Sequence, residues 1–279
     1  MPKKKTLSSV VVEEPGITVA IPTIGRVETL PAVITSVCFQ TYSVGEIIIL
    51  DEAKTPIMES YAVNQALDVL SIRNGVEIKV IRSRRRGGIG AARLKLAEEA
   101  LNDRIMMIDD DVVLNPACIE HLYNALQDYE VPWAVPTCFL VPANLELDGY
   151  IDTLVDAEDP KVVSWTEKYP WFVPYFRYLG SIERKIPVAG TQSIMLSKRE
   201  LLSKAGDMWK LGNLPREDTY MTKKMGPGMF ISRAECLHYE HPSQLDRGNW
   251  GKSTFYRLHE AIMTDPDGFL SMMKKNGVD

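Results

Sequence analysis

The sequence predicts an α/β protein built on a mostly parallel sheet with helices on both faces, and three observations lead there. Short apolar, β-branched runs alternate four times with helix-patterned stretches between Ile17 and Tyr129. The runs are continuous rather than alternating, which is the pattern of strands buried on both faces. Polar clusters follow the runs, beyond the carboxyl ends of the strands, where open α/β sheets place their ligands.

The elements follow in order. Ile17 to Ile21, closed by Pro22, reads as a buried first strand. Val27, Leu30, Ile34, Val37 and Cys38 fall at helical spacing before Gln40. Glu46 to Leu50 is a second strand ending at Asp51-Glu52, and residues 58–72 read as a helix. Val76 to Ile81 is a third strand. Ile89 to Leu101, dense in Ala, Leu, Lys and Glu, is a helix. Arg104 to Ile108 is a fourth strand running into Asp109-Asp110-Asp111, and Asn115-Pro116 is expected to start a helix to about Tyr129 with proline at its first position. Beyond residue 130 periodicity weakens, and residues 142–187 are rich in acids, aromatics and prolines. Strand character returns at Val188 to Leu196 and helix at Lys198 to Ala205. A short helix is expected from Glu217 to Met225, two short strands over 228–239, and helical segments over 252–275.

Composition narrows the function. At 279 residues, 45% hydrophobic and 25% charged, the chain is an ordinary globular one that needs no staples. Its four cysteines form no CxxC pair, which argues against a zinc knuckle or disulfide framework and fits a reducing compartment. A net charge of −5 lacks the basic excess of a nucleic-acid binder, although Arg82 and Arg84 to Arg86 make a local basic run. No apolar run reaches the roughly 18–20 residues of a membrane span, and no signal peptide follows Lys3-Lys4-Lys5. A soluble, cytoplasmic protein is expected, with residues 1–16 a flexible leader.

The acid triplet is the sharpest chemical signal. Three adjacent carboxylates anchored by an apolar strand repel one another by on the order of 1–4 kcal/mol per pair. A divalent cation relieves that repulsion, and Asp109 and Asp111, two apart, suit sharing one ion with a diphosphate. Asp51-Glu52 can accept hydrogen bonds from a base or ribose, or can simply cap a turn. Arg86-Gly87-Gly88-Ile89-Gly90 precedes a helix and matches a dinucleotide fingerprint poorly. Its glycines instead let the loop pass close to a nucleotide, with Arg86 or Arg93 facing base or diphosphate. Glu217-Asp218 opens a helix, where acids are common for dipole reasons alone. The aromatics between Trp165 and Tyr178 are either core and lid packing or a wall against which an acceptor stacks.

The order of these pieces resembles the family 2 glycosyltransferases, of GT-A fold. Val19-Ala20-Ile21-Pro22-Thr23 looks like the family's opening strand, and Glu46 to Glu52 like its second, ending in a nucleotide-contacting acid. Arg86 to Arg93 resembles its Gly-rich segment, Asp109 to Asp111 its metal-binding triplet, Pro187 to Thr191 its acceptor-side glycine segment, and Glu217-Asp218 its Glu-Asp pair. The resemblance implies a Rossmann-like nucleotide-binding sheet with a smaller acceptor-side sheet and C-terminal helices. It divides the chain into a donor half (17–135), an acceptor and base half (136–240) and a lid with helices (241–279). It implies an inverting, Mn2+- or Mg2+-dependent transfer from a nucleotide-diphosphate sugar, a UDP-sugar above others, with Asp218 as general base beside Glu217. Donor contacts would be Pro22, Thr23, Arg26, Asp51, Glu52, Arg86, Gly87, Gly88, Arg93, Asp109 and Asp110. Metal ligands would be Asp109, Asp111 and His238, with His241 an alternative to the last. Gly190, Thr191 and Trp209 would face an acceptor, which is a glycan, lipid-linked glycan, protein or modified nucleic acid. Two other readings compete: a nucleotidyltransferase of similar sheet, for which Gly25-Arg26 is a thin signature, and a binding protein without turnover.

Overall fold

Each strand of the first half has two apolar faces, and that property arranges everything else. A computed structural model describes residues 16–84, 87–141, 154–175, 177–190, 192–212, 216–239 and 261–269. In chain order the elements begin β1 (Ile17–Thr23), α1 (Leu30–Cys38), β2 (Glu46–Asp51), α2 (Tyr61–Asn74), β3 (Glu77–Arg82), α3 (Ile89–Glu99) and β4 (Arg104–Ile108). Then come β5 (Val112–Leu114), α4 (Cys118–Asp128), β6 (Trp133–Val141), β7 (Leu154–Val155), α5 (Pro160–Lys168) and β8 (Arg177–Tyr178). They end with β9 (Glu183–Ile186), β10 (Ser193–Ser197), α6 (Lys198–Ala205), α7 (Glu217–Met225) and β11 (Gly228–Tyr239). Short helical stretches follow at 261–264 and 266–269.

Side chains alternate across a strand, so successive residues of β2 feed opposite cores. Ile47 and Ile49 join Val19, Ile21 and the apolar stripes of α1, α2 and α4 on one face. Ile48 and Leu50 join Ala20, Ile105, Met107 and the stripes of α3, α6 and α7 on the other. Each such Ile or Leu, fully buried, contributes about 1.5–3 kcal/mol. This is why the strands read as unbroken apolar runs.

The large sheet runs β3-β2-β1-β4-β10-β6-β11-β5, with β9 added on β11. The expected parallel arrangement holds from β3 to β4. Beyond β4 the sheet becomes mixed: β10 returns antiparallel between β4 and β6, while β6 and β11 are parallel to each other. β7 and β8 form a separate two-stranded sheet. Several boundaries differ from expectation. The expected helix over 58–72 is a single 3-10 turn, Ile57–Glu59, followed by α2. Pro116 lies before the N-cap Ala117 of α4 rather than at its first position. The two short strands expected over 228–239 are one strand, β11, with a register shift between Ile231 and Glu235. Gly228, at the start of β11, stands against Trp133, whose ring lies 2.2 Å from where a Cβ would be. Only glycine allows that contact, and the indole Nε1 donates to the Gly226 carbonyl at 2.7 Å.

Candidate active site

The parallel strands bring their polar ends to one edge. β1 ends at Thr23 and β4 runs straight into Asp109-Asp110-Asp111, a tight turn closed by the Val112 N–H donating to the Asp109 carbonyl at 3.2 Å. Gly25, at a φ of +105 that disfavours any side chain, swings the chain around so that Arg26 points back at the triplet. A single guanidinium nitrogen, Nη1, lies 2.6 Å from both Asp110 Oδ1 and Asp111 Oδ2. Thr23 Oγ1 donates to Asp110 Oδ2 at 2.6 Å, and Thr29 Oγ1 donates to the Asp110 carbonyl at 2.8 Å. The sequence suggests Arg26 and Asp110 as donor contacts. The structure buries them against each other, with 7% of Arg26 and 3% of Asp110 exposed. Burial pushes the Asp110 carboxyl up to about 6, against the pull of Arg26.

Arg93 ties the triplet to α7. The β3–α3–β4 crossover sets the N-terminal half of α3 at the same sheet edge, and helical side chains lean toward the N-terminus. Arg93, with 2% exposed, donates from Nη2 to Asp109 Oδ1 at 3.0 Å, and its Nη1 pairs with Glu217 Oε1 at 3.2 Å. Burial alone would lower the guanidinium pKa, but Glu217, Asp109 and Asp218 together raise it. The carboxyl of Asp109 is raised by burial, partly offset by Arg93. Glu217 is pushed up to about 7, first by burial and then by Asp218, against the pull of Arg93.

Glu217 and Asp218 occupy the first turn of α7, where the helix dipole favours carboxylates. Asp218 Oδ1 accepts from the Thr219 N–H at 2.7 Å. Arg216, at the N-cap, holds a left-handed backbone with φ 86, an uncommon state for a side-chain-bearing residue. Burial lowers its pKa, against the carboxylates of Asp218 and Glu217 and the hydroxyl of Tyr175. Nothing in the residue pattern of 214–216 marks that conformation.

His238 reaches the triplet through strand pairing. β11 runs antiparallel to β5, with His238 opposite Val112 and the Tyr239 N–H donating to the Asp111 carbonyl at 2.9 Å. His238 Nε2 lies 3.4 Å from Asp111 Oδ1, and neither ring nitrogen makes a hydrogen bond although 3% of the residue is exposed. A buried imidazole without partners, facing a carboxylate, has the donor chemistry of a divalent-ion ligand. Asp109, the third ligand the resemblance implies, accepts from Arg93 Nη2 through its Oδ1 at 3.0 Å. Among the described residues no three His, Cys, Asp or Glu side chains are grouped to hold an ion by themselves.

Other expected site residues lie apart from this cluster or beside it. Asp51 is 1% exposed and accepts from the N–H groups of Ala53 at 2.9 Å and Ile57 at 3.0 Å and from Arg82 Nη1 at 2.8 Å. It therefore shapes its own loop, while Glu52 beside it is half-buried. Pro22 is buried next to Thr23, and Gly87 and Gly88 lead into α3. Gly190 is buried two residues before Gln192, whose carbonyl accepts the Asp109 N–H at 2.9 Å. Gln192 also accepts from the Tyr175 hydroxyl at 2.8 Å, a link between the aromatic segment and the triplet that the sequence does not reveal. Trp209 is 56% exposed in the 3-10 turn Met208–Leu211 that packs on α3. Arg86, Thr191, His241 and the expected lid over 240–256 lie outside the described residues.

An acid triplet that follows β4 is thus tied through Arg93 to the Glu-Asp pair that opens α7. A model of the family described as glycosyl transferase family 2 matches residues 18–203. The chain belongs to that family and is a glycosyltransferase. No curated protein sequence matches it. Among solved structures, S. aureus TarS 1–349 in complex with UDP-GlcNAc is similar at a TM-score of 0.57 and 13% identity, over 93% of this chain and 71% of that one. GalNAc-T7 with UDP, GalNAc and Mn2+ is similar at a TM-score of 0.62 and 15% identity, over 91% of this chain and 50% of that one. Among the described residues no helix is long and apolar enough to cross a membrane.

Proposed function

We propose that this chain is an inverting glycosyltransferase that moves a sugar from a UDP-sugar to an acceptor hydroxyl, with Asp218 as general base. The observation that carries the reading is Arg93, which joins Asp109 to Glu217 at 3.0 and 3.2 Å and so brings the triplet and the Glu-Asp pair into one cluster. The two solved structures contain UDP-GlcNAc in one case and UDP, GalNAc and Mn2+ in the other, which supports a UDP-linked donor here. In this reading residues 17–135 hold the donor and 136–240 the acceptor, with Gly190 and Gln192 at their junction.

Asp218 accepts the proton of the acceptor hydroxyl. That oxygen attacks the anomeric carbon from the face opposite the nucleotide, and the carbon–oxygen bond to the diphosphate breaks. Thr219, through its N–H, fixes the Asp218 carboxylate, and Arg93 holds Glu217 beside it. Asp111 and His238 would hold a divalent ion, Mn2+ or Mg2+, which when bound neutralises the leaving diphosphate.

A product assay with UDP-sugars tests this. Nucleoside diphosphate release together with glycosylated acceptor is expected, whereas pyrophosphate release would indicate nucleotidyl transfer instead. Asp218→Asn should lower kcat by about 10²–10⁴-fold while donor affinity survives. Wild-type rates in that variant would remove Asp218 from the role.

A further inference from the structure

We propose that a cleft beside β9 holds an anionic group of the acceptor, a phosphate ester or a carboxylate, with Arg184 as its main contact. The inference rests on the reading that the chain transfers a sugar to an acceptor hydroxyl. The cleft lies between α5, the 3-10 turn Pro170–Tyr175 and β9. It measures about 170 Å³, roughly ten times the space one water needs, so it has room for a ligand group. Val173 and Ile186, both buried, supply apolar lining.

Arg184 is the cation that the fold draws toward this space. Residues two apart share a face of a strand, so Arg184 lies on the face of β9 that Ile186 turns to the core. Its Nη1 donates at 3.0 Å to Thr166 Oγ1, on a residue only 1% exposed. Charges drawn inward are ordinarily paired, yet among the described residues Arg184 makes no ion pair. Glu183, its neighbour on the opposite face of β9, joins Arg233 at 2.6 Å and Tyr129 instead. Glu167 borders the cleft without pairing with it. The guanidinium keeps further N–H donors in a planar fork, the shape that matches phosphate and carboxylate oxygens. Lys185, exposed beside it, adds a second positive charge to the lining.

The walls of the cleft lead toward the proposed base. Pro187 continues to Ala189, whose N–H donates to Thr222 Oγ1 at 3.1 Å, and Thr222 Oγ1 lies 2.9 Å from the Asp218 carbonyl. Val173 precedes Tyr175, whose hydroxyl donates to Gln192 at 2.8 Å. Val173 and Ile186 also belong to the core that Tyr220 and Met221 of α7 complete. An extended acceptor therefore rests its charged end in the cleft while its hydroxyl meets Asp218.

Two measurements on the full chain test this. In the first, the Arg184 Nε–H resonance, assigned by its loss in Arg184→Gln, is followed during titration with glycerophosphate, with galacturonate and with sodium chloride at equal ionic strength. A saturating shift with one of the two organic anions is expected, and it tells phosphate from carboxylate. Shifts no larger than those with chloride overturn the proposal. In the second, UDP release from UDP-sugars is compared for acceptors with and without the charge: glycerophosphate against glycerol, and galacturonate against galactose. The charged member of one pair should have the lower KM. Losing a charge-assisted hydrogen bond should raise that KM about tenfold or more in Arg184→Gln, with kcat little changed and the neutral member unaffected. Equal KM values within both pairs, or equal losses on both members in the variant, overturn the proposal. Arg184→Lys keeps the charge but not the fork, so it should fall between wild type and Arg184→Gln; it takes over the comparison should Arg184→Gln not fold by circular dichroism. A saturating Arg184 shift with no UDP released from any pair removes the acceptor role, and the failure then lies in the transfer reading rather than in the anion site.

Discussion

At the scale of single residues the site is a set of buried charges held in place by other buried charges. Arg93 is the residue on which most of them depend. Replacing it by methionine keeps the volume of α3's inner face but leaves Asp109 and Glu217 without their counter-ion, which should cost about 3–5 kcal/mol. Urea unfolding of Arg93→Met measures that loss, and adding Glu217→Gln should recover part of it, since one orphaned carboxylate is then gone. Glu217 also makes stability depend on pH. Its folded pKa of about 7 stands above the ordinary 4.5, through burial and the neighbouring Asp218 and Asp109, with Arg93 opposing. Between those values the folded state binds more protons than the unfolded one, so this contribution to stability falls as pH rises from about 4.5 to about 7. Relative to wild type, Glu217→Gln should therefore gain stability when unfolding is compared at pH 5 and pH 8. A constant difference across that range would mean that Glu217 does not titrate there. The acids themselves are legible in the sequence, because carboxylates directly after apolar strands are too costly to be accidental. Arg26 turning onto the triplet is not legible, since it depends on the backbone angle at Gly25. Neither is Gln192, which meets Asp109 just before β10 returns beside β4 from far along the chain.

At the scale of elements, the strands that the sequence displays are those with two apolar faces. β1, β2 and β4 belong to this kind, and their apolar runs mark their bounds to within a residue or two. β5 is three residues long, and β6 carries Pro136 and Thr137 in mid-strand, so neither presents a run that periodicity can pick out. Their existence follows from pairing: β5 needs β11 and β6 needs both β10 and β11. The start of β11 depends on a small residue. A Cβ at position 228 would lie 2.2 Å from the Trp133 ring and 2.4 Å from its carbonyl oxygen. Trp133 is fully buried and cannot step aside without giving up its bond to Gly226. Gly228→Ala should accordingly destabilise by about 1–3 kcal/mol through overpacking, read as a lower urea midpoint. A midpoint equal to wild type would mean that β6 and β11 separate more easily than their packing implies.

At the scale of the whole molecule, the candidate site draws on elements from both ends of the chain. Thr23 and Arg26 follow β1, Asp109 to Asp111 follow β4, Glu217 and Asp218 open α7, and His238 ends β11. A ligand spanning these groups therefore ties the early parallel half to the late mixed half, and its binding free energy should add to the stability of the fold as a unit. A ligand at a hundredfold excess over its Kd contributes about 2.7 kcal/mol. For a chain of this size that corresponds to roughly 5–10 °C in Tm. UDP-, GDP-, CMP- and dTDP-sugars, each with manganese and with EDTA, should separate in such a measurement: one nucleotide class should raise Tm in manganese and lose most of the rise in EDTA. Equal rises in manganese and EDTA would place the donor's phosphates on the protein's own cations, with Arg216 and Arg82 the first to substitute. The absence of a rise with every donor would mean that the acceptor must bind first, and the same series repeated with candidate acceptors would then show the donor's effect appearing only in their presence.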